Sequence, residues 1–254
     1  MQLVMLGAGS SAGTPVVGCS CGTCKSENPR NKRTRCSAAI TLPTGEVILI
    51  DTGPDLRQQA LREGLNRVDA VLYTHAHADH MHGIDDLRAF CQLQKQQIPL
   101  YGQEAVIEHI HSKFSYTLRE PGGFWDLPVL RTHTVEEPFE LFGQTIIPIP
   151  VQHGRIGILG YRIGDIAYMT DVSEIPERSL QLLQGLDTLL LDCLRYEPHF
   201  THIHLEQSLA YASLIKARQT YLIHMTHDIE YDTLTRRLPP NVHAAYDGLR
   251  VDVE

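Results

Sequence analysis

The sequence predicts an α/β protein in which sheets are covered by helices, and three observations carry that expectation. Short apolar runs rich in β-branched residues recur along the 254 residues, with turn signals between them. Amphipathic helical patterns alternate with those runs. Pro43-Thr44-Gly45-Glu46 and Gly164-Asp165 each join two strand-like runs as a hairpin would, so part of the pairing is antiparallel.

In chain order, the strand-like runs are Gln2 to Leu6, Ala38 to Leu42, Val47 to Asp51, Ala70 to Thr74, Thr145 to Val151, Gly157 to Ile163 and Ile166 to Thr170. Tyr221-Leu222-Ile223 reads the same way, and Leu189-Leu190-Leu191-Asp192 is an apolar run ahead of Cys193. Helical spacing places Leu56, Ala60 and Leu61 on one face, and recurs at Ile84 to Leu93, Gln103 to Ser112, Pro176 to Leu183, and Leu205, Leu209 and Ala212. Phe114 to Leu130, with Pro121-Gly122-Gly123 and Trp125, is the least regular stretch; it is expected to be either a packed surface excursion or a lid. Gly7 to Gly13 has GxGxxxG spacing and leads into a hairpin pattern, so it is expected to be a structural loop more than a dinucleotide site. Its serines could contact substrate.

A content of 43% hydrophobic and 20% charged residues excludes a disordered or fibrous chain, and the length suits one domain over residues 1–254. The net charge of −8 disfavours extended nucleic-acid binding, because even the most basic run, Arg30 to Arg35, is short. No apolar run reaches the ~18 residues of a membrane span, and the N-terminus lacks a charged, apolar leader. A cytoplasmic protein without a membrane partner is expected, and a homodimer is compatible with this composition.

Cysteine and histidine set the chemistry. His75-Ala76-His77-Ala78-Asp79-His80 follows a strand, which sends His75 and His77 to one side, and a turn into a helix brings Asp79 and His80 to the same cavity. Imidazole and carboxylate suit zinc, iron or manganese. Cys19, Cys21 and Cys24 crowd three thiolates into one loop, enough for one tetrahedral ion with a distant fourth ligand, for which Cys36 and His227 both qualify. Cys91 and Cys193 sit in apolar surroundings and are expected in the core.

Thr74-His75-Ala76-His77-Ala78-Asp79-His80 resembles the HxHxDH signature of the metallo-β-lactamase superfamily, and His153, Asp171 and His224 follow in that family's order, each after a strand-like run. The resemblance implies a single-domain, four-layer αββα sandwich with two divalent ions, zinc or manganese, at one sheet edge. It implies that His75, His77 and His153 hold one ion, that Asp79, His80 and His224 hold the other, and that Asp171 bridges. Asp51 in Ile50-Asp51-Thr52-Gly53-Pro54-Asp55 resembles the carboxylate that supports the metal loop. The cysteine cluster with the His224-x-x-His227 pair is similar to the cyclic phosphodiesterases of phosphonate breakdown, which implies His227 as fourth ligand of a structural zinc within a cysteine loop at about 18–36.

The chemistry implied is hydrolysis by a hydroxide shared between the ions, with Asp79 and His202 as catalytic residues. His202 matches the extra histidine of the phosphodiesterase branches, including ribonuclease Z, where it is a general acid or a phosphate contact. His204 is expected to cap a helix or face solvent, and Arg195 to contact phosphate or form a surface salt bridge. A small or cyclic phosphodiester is the expected substrate, because no basic arm of the ribonuclease Z type is present. An RNA or DNA processing nuclease and a non-catalytic metal-binding accessory protein are the alternatives.

Overall fold

The computed structural model describes residues 1–118 and 130–253. Its elements are β1 (Gln2–Gly7), α1 (Gly22–Lys25), β2 (Ser37–Thr41), β3 (Val47–Ile50), α2 (Leu56–Glu63), β4 (Ala70–Leu72), α3 (Ala78–Met81), α4 (Leu87–Gln94), β5 (Ile98–Gly102), α5 (Glu104–Lys113) and β6 (Leu130–Thr134). There follow β7 (Phe139–Leu141), β8 (Gln144–His153), β9 (Ile156–Ile163), β10 (Ile166–Met169), α6 (Glu177–Leu182), β11 (Thr188–Asp192), α7 (Leu205–Ile215), β12 (Gln219–Ile223), α8 (Tyr231–Thr235), β13 (Val242–Ala244) and β14 (Arg250–Asp252).

Two seven-stranded sheets result, in the orders β14-β1-β2-β3-β4-β5-β6 and β13-β12-β11-β10-β9-β8-β7. Both expected hairpins form, β2 with β3 and β9 with β10. Each sheet is antiparallel on one side and parallel on the other: β3 to β6 run parallel in the first, β10 to β13 in the second. Residue parity builds the layers. Leu3, Met5, Ile48 and Ile50 of the first sheet meet Tyr161, Ile163, Tyr168 and Leu190 of the second in one core. Their alternates Val4, Leu6, Val47 and Leu49 point the other way, onto Leu56, Leu87, Phe90, Val106 and Ile110 of the outer helices. Ala167, Met169, Leu189 and Leu191 likewise face Leu183, Ile203 and Ile215. The order is helix, sheet, sheet, helix, as the resemblance implied, and each fully buried aliphatic side chain contributes about 1.5–3 kcal/mol.

Several expected elements are shorter than their apolar patterns. The strand read to Asp51 ends at Ile50, because Asp51 is left-handed, with φ 62°. The strand read to Thr74 ends at Leu72, and Thr74 then turns to donate to Asp51 through both its N–H (2.9 Å) and its hydroxyl (2.8 Å). The helix read from Ile84 begins as a 3-10 turn over Ile84–Asp86 before α4. Within the irregular segment, Ser115–Leu118 is a 3-10 turn and Leu130 opens β6. The rest of it, residues 119–129 with Trp125 and the lid alternative, lies outside the described residues.

The sheets are stitched together beside the first histidine. The Tyr161 hydroxyl donates to the Tyr73 carbonyl at 2.8 Å, and the Leu159 N–H donates to the Thr74 carbonyl at 3.1 Å. Asp51, Asp171 and His224 follow β3, β10 and β12, all with positive φ, and Asp192 closes β11. Chemistry therefore gathers at the carboxyl ends of the parallel strands of both sheets.

Candidate metal centre

Asp171, only 2% exposed, organises the site through its two oxygens. Oδ1 lies 3.2 Å from His80 Nε2 and 3.3 Å from His224 Nε2, while Oδ2 lies 3.9 Å from His75 Nε2 and 3.8 Å from His153 Nε2. Asp79 Oδ2 joins the first pair at 3.2 Å from His80 Nε2. His77 joins the second, its Nδ1 2.9 Å from His75 Nε2. Two four-residue clusters follow, His75, His77, His153, Asp171 and Asp79, His80, Asp171, His224, with ligand atoms within 4.8 Å of one another and one carboxylate shared. This is the partition that the resemblance implied.

Buried hydrogen bonds fix the outward nitrogen of several rings and leave the other pointing in. His80 Nδ1 is 2.7 Å from Asp51 Oδ2, His153 Nδ1 is 2.9 Å from the Thr201 carbonyl, and His75 Nδ1 is 3.0 Å from the Thr74 hydroxyl. Asp51 thus orients the His80 ring from behind and ties it to Thr74. The inward Nε2 atoms of His80 and His224 are buried and have no hydrogen-bond partner among the described residues. Such orphaned acceptors fit a divalent ion.

Electrostatics agrees. Burial pushes the Asp171 carboxyl up, but His224 and His80 outweigh it and hold the group well below the ordinary carboxylate range. Burial drives His75 well below its ordinary value and lowers His77 and His153 as well. His80 goes the opposite way: burial lowers it, yet Asp171 and Asp51 together raise it well above. Asp51, Asp79 and Asp171 crowd around one imidazole, a charge pattern that calls for cations.

Glycine is required where the two metal-bearing segments touch. A Cβ on Gly53 would lie 2.2 Å from the Asp79 carbonyl oxygen, and one on Gly83 would lie 2.0 Å from that of Gly53. Thr52 N–H meanwhile donates to the His80 carbonyl at 2.7 Å, so this turn carries α3 from beneath.

His202, 8% exposed, flanks both clusters: its ring centroid is 4.8 Å from that of His153 and 4.9 Å from that of His224, stacked on the latter. Its Nε2 faces Asp171 at 3.9 Å, and its Nδ1 is 3.0 Å from Asp192 Oδ2. Asp192, which the sequence reading names only within an apolar run and not as a site residue, also accepts from Val172 N–H at 2.9 Å and lies 3.6 Å from His224 Nδ1. Asp192, His202 and His224 also form a group with ligand atoms close together, but Asp192 hydrogen-bonds the outer nitrogen of His202 and lies beside that of His224, the position of an orienting carboxylate. The signal that would have found Asp192 is an acid closing an all-apolar strand, as at Asp51.

The remaining residues divide clearly. Cys19, Cys21 and Cys24 surround His227 Nδ1 at 3.2, 3.5 and 3.5 Å. Tetrahedral zinc, with bonds of about 2.3 Å to sulfur and 2.0–2.1 Å to nitrogen, separates S and N by about 3.5 Å, so these four fit. The Cys24 backbone N–H, beyond any other influence, lowers Cys21 to about 6. Cys36 is not in this cluster; it is buried in the inter-sheet core under the Tyr168 hydroxyl at 3.2 Å. Cys91 and Cys193 are core residues as expected. His204 stands at the N-terminus of α7, its ring and backbone nitrogens on Gln207 Oε1. Arg195 donates to the Glu197 and Pro198 carbonyls and makes no ion pair among the described residues. The glycine-rich loop is structural where it is tightest: a Cβ on Gly7 would lie 2.0 Å from the Arg35 carbonyl oxygen.

Two clusters sharing a carboxylate at the open edge of an αββα sandwich define a metallo-hydrolase architecture. A family model described as a beta-lactamase superfamily domain matches residues 46–225, and a solved diphosphatase of the PhnP family is 41% identical, with a TM-score of 0.92 over 98% of this chain and 96% of that one. The chain belongs to the metallo-β-lactamase superfamily, and within it to the PhnP family.

An octanoyltransferase of Porphyromonas gingivalis is 37% identical over the whole of this chain and 52% of its own length. A ribonuclease Z of Thermosynechococcus vestitus is 32% identical over 53% of this chain and 33% of its own. The chain thus spans about half of the octanoyltransferase and a third of this ribonuclease Z. Among the described residues, no helix is long and apolar enough to cross a membrane.

Proposed function

We propose that the protein is a metal-dependent phosphodiesterase acting on small or cyclic phosphodiesters. When bound, two divalent ions, zinc or manganese, supply an activated water and neutralise phosphate oxygens. His75, His77 and His153 would hold one, Asp79, His80 and His224 the other, and Asp171 both; a structural zinc would sit on Cys19, Cys21, Cys24 and His227. The proposal includes a cytoplasmic location, where thiolates stay reduced, and no extended nucleic-acid partner.

The observation that carries this reading is the Asp192–His202 pair, set beside the two clusters with Nε2 inward. Burial lowers His202 and raises Asp192 well above its ordinary value; the hydrogen bond between Nδ1 and Oδ2, through one shared proton, turns Nε2 inward, where it would carry an N–H. That N–H can be given to the departing oxygen, and the shared proton then settles on Nδ1. The relative described as a diphosphatase supports phosphoryl chemistry. The octanoyltransferase name belongs to a chain about twice as long, and an octanoyl ester serves as the competing substrate.

The test is the leaving group. His202→Ala is expected to lose about 100-fold or more in rate on an alkyl or ribosyl phosphodiester and far less on a bis(nitrophenyl) ester, whose leaving group needs no proton. Equal losses on both would assign His202 to phosphate binding instead. Strongly salt-sensitive trimming of a transfer-RNA precursor, with negligible turnover of small diesters, would favour the nuclease reading.

A further inference from the structure

Arg33 is a buried cation with too few partners. It is 1% exposed, and its Nε and Nη1 have no hydrogen-bond partner among the described residues. A guanidinium taken out of water costs several kcal/mol unless its charge is met. Burial pulls it down to about 10, while Asp247, Glu230 and Cys24 oppose that through space.

Its surroundings are the two halves of the thiolate cluster. Nη2 donates to the carbonyls of Thr226 at 2.9 Å and Ile229 at 2.8 Å, bracketing His227. The Arg33 backbone pairs in both directions with Thr14 at 2.8 Å. From there the chain reaches the cysteine loop, where Val16 N–H donates to Cys24 Sγ at 3.3 Å. The neighbouring Lys32 Nζ donates to the Cys24 carbonyl, also at 3.3 Å. Residue 33 therefore touches the segment that presents His227 and is tied to the loop that presents the thiolates. Three thiolates and a neutral imidazole on a divalent ion leave one net negative charge, and among the described residues no other lysine or arginine is so deeply buried.

We propose that Arg33 is the positioning residue of the thiolate site: its guanidinium clamps the loop that presents His227 and supplies the buried positive charge that balances a three-thiolate ion. The inference rests on the reading that this cluster holds zinc. Both roles use one side chain. Methionine in its place removes clamp and charge together, whereas lysine keeps the charge but is one bond shorter, so its ammonium cannot take the place of Nη2 between the two carbonyls without a shift.

The experiment compares wild type, Arg33→Lys and Arg33→Met as zinc-loaded full-length proteins challenged with a colorimetric chelator. Cobalt-substituted samples report the thiolate-to-metal absorption band. In Arg33→Met the slow release phase, equal to one ion, is expected to accelerate about tenfold or more, with Arg33→Lys between it and wild type and the band shifted in both. Unchanged release and an unchanged band in a folded variant would overturn the proposal. So would equal losses of melting temperature in metal-free and zinc-loaded protein, which would mark a general packing role. If Arg33→Met does not fold, Arg33→Lys decides alone. A wild-type protein without a thiolate-bound ion would overturn the zinc reading itself, and the proposal with it.

Discussion

At the scale of single residues, Asp171 shows how a backbone angle becomes chemistry. Its φ of 56° is uncommon outside glycine and costs about 1–3 kcal/mol, but it turns one oxygen toward each cluster. Asp192 does equivalent work for His202 from the outside. Asp192→Asn cannot share the proton, so a loss of about 10–100-fold is expected on an alkyl phosphodiester, with metal content retained. Steady-state rates with elemental analysis check this, and an unaltered rate would remove Asp192 from the proton path.

The HxHxDH ligands were legible because they lie within six consecutive residues. His153, Asp171 and His224 were legible only as members of a family order, since a lone histidine after a strand carries little signal. Asp192 hid at the end of Leu189-Leu190-Leu191, a run whose obvious meaning is core. Arg33 hid among Arg30, Lys32 and Arg35: the charges look alike in the sequence, and only the fold decides which one turns inward.

At the scale of elements, long apolar strands and the two hairpins were legible, whereas β5, β6, β7, β13 and β14 were not. β7, β13 and β14 are three residues long, and Val251 is the one buried residue of β14, so no period can show. β5 carries a proline, and β6 is mostly polar. The cap of α8 was likewise invisible. Glu230 accepts from Asp232 N–H at 3.2 Å, Thr233 N–H at 2.8 Å and Asn31 Nδ2 at 2.9 Å. Although burial pushes it up, these donors, led by Asn31 and Thr233, hold its carboxyl at about 2.

A depressed carboxylate stabilises the fold above its ordinary pKa, and that contribution disappears as pH falls through the folded value. Melting temperatures of wild type and Glu230→Gln should therefore differ most above pH about 4.5 and converge toward pH 2. A gap that did not change with pH would assign the cap to shape alone.

At the scale of the whole molecule, each cluster draws ligands from both halves of the sandwich. His75, His77, Asp79 and His80 follow β4 of the first sheet, while His153 closes β8 and Asp171 and His224 follow β10 and β12 of the second. The thiolate cluster repeats the pattern, with cysteines before β2 and His227 after β12. The chain passes from the first sheet to the second through Val135 to Pro138, between β6 and β7, and returns to the first only for β14. A backbone cut between Glu136 and Glu137 would leave one fragment with four ligands of the paired centre and all three thiolates, and the other with every remaining ligand. Neither fragment would carry a complete ligand set. Co-expressed pieces should therefore reassemble in proportion to free zinc and come apart on chelation, which size-exclusion chromatography would read directly; a complex indifferent to chelator would mean that the apolar interface alone suffices. Split at that point, the protein would become a metal-gated complementation pair.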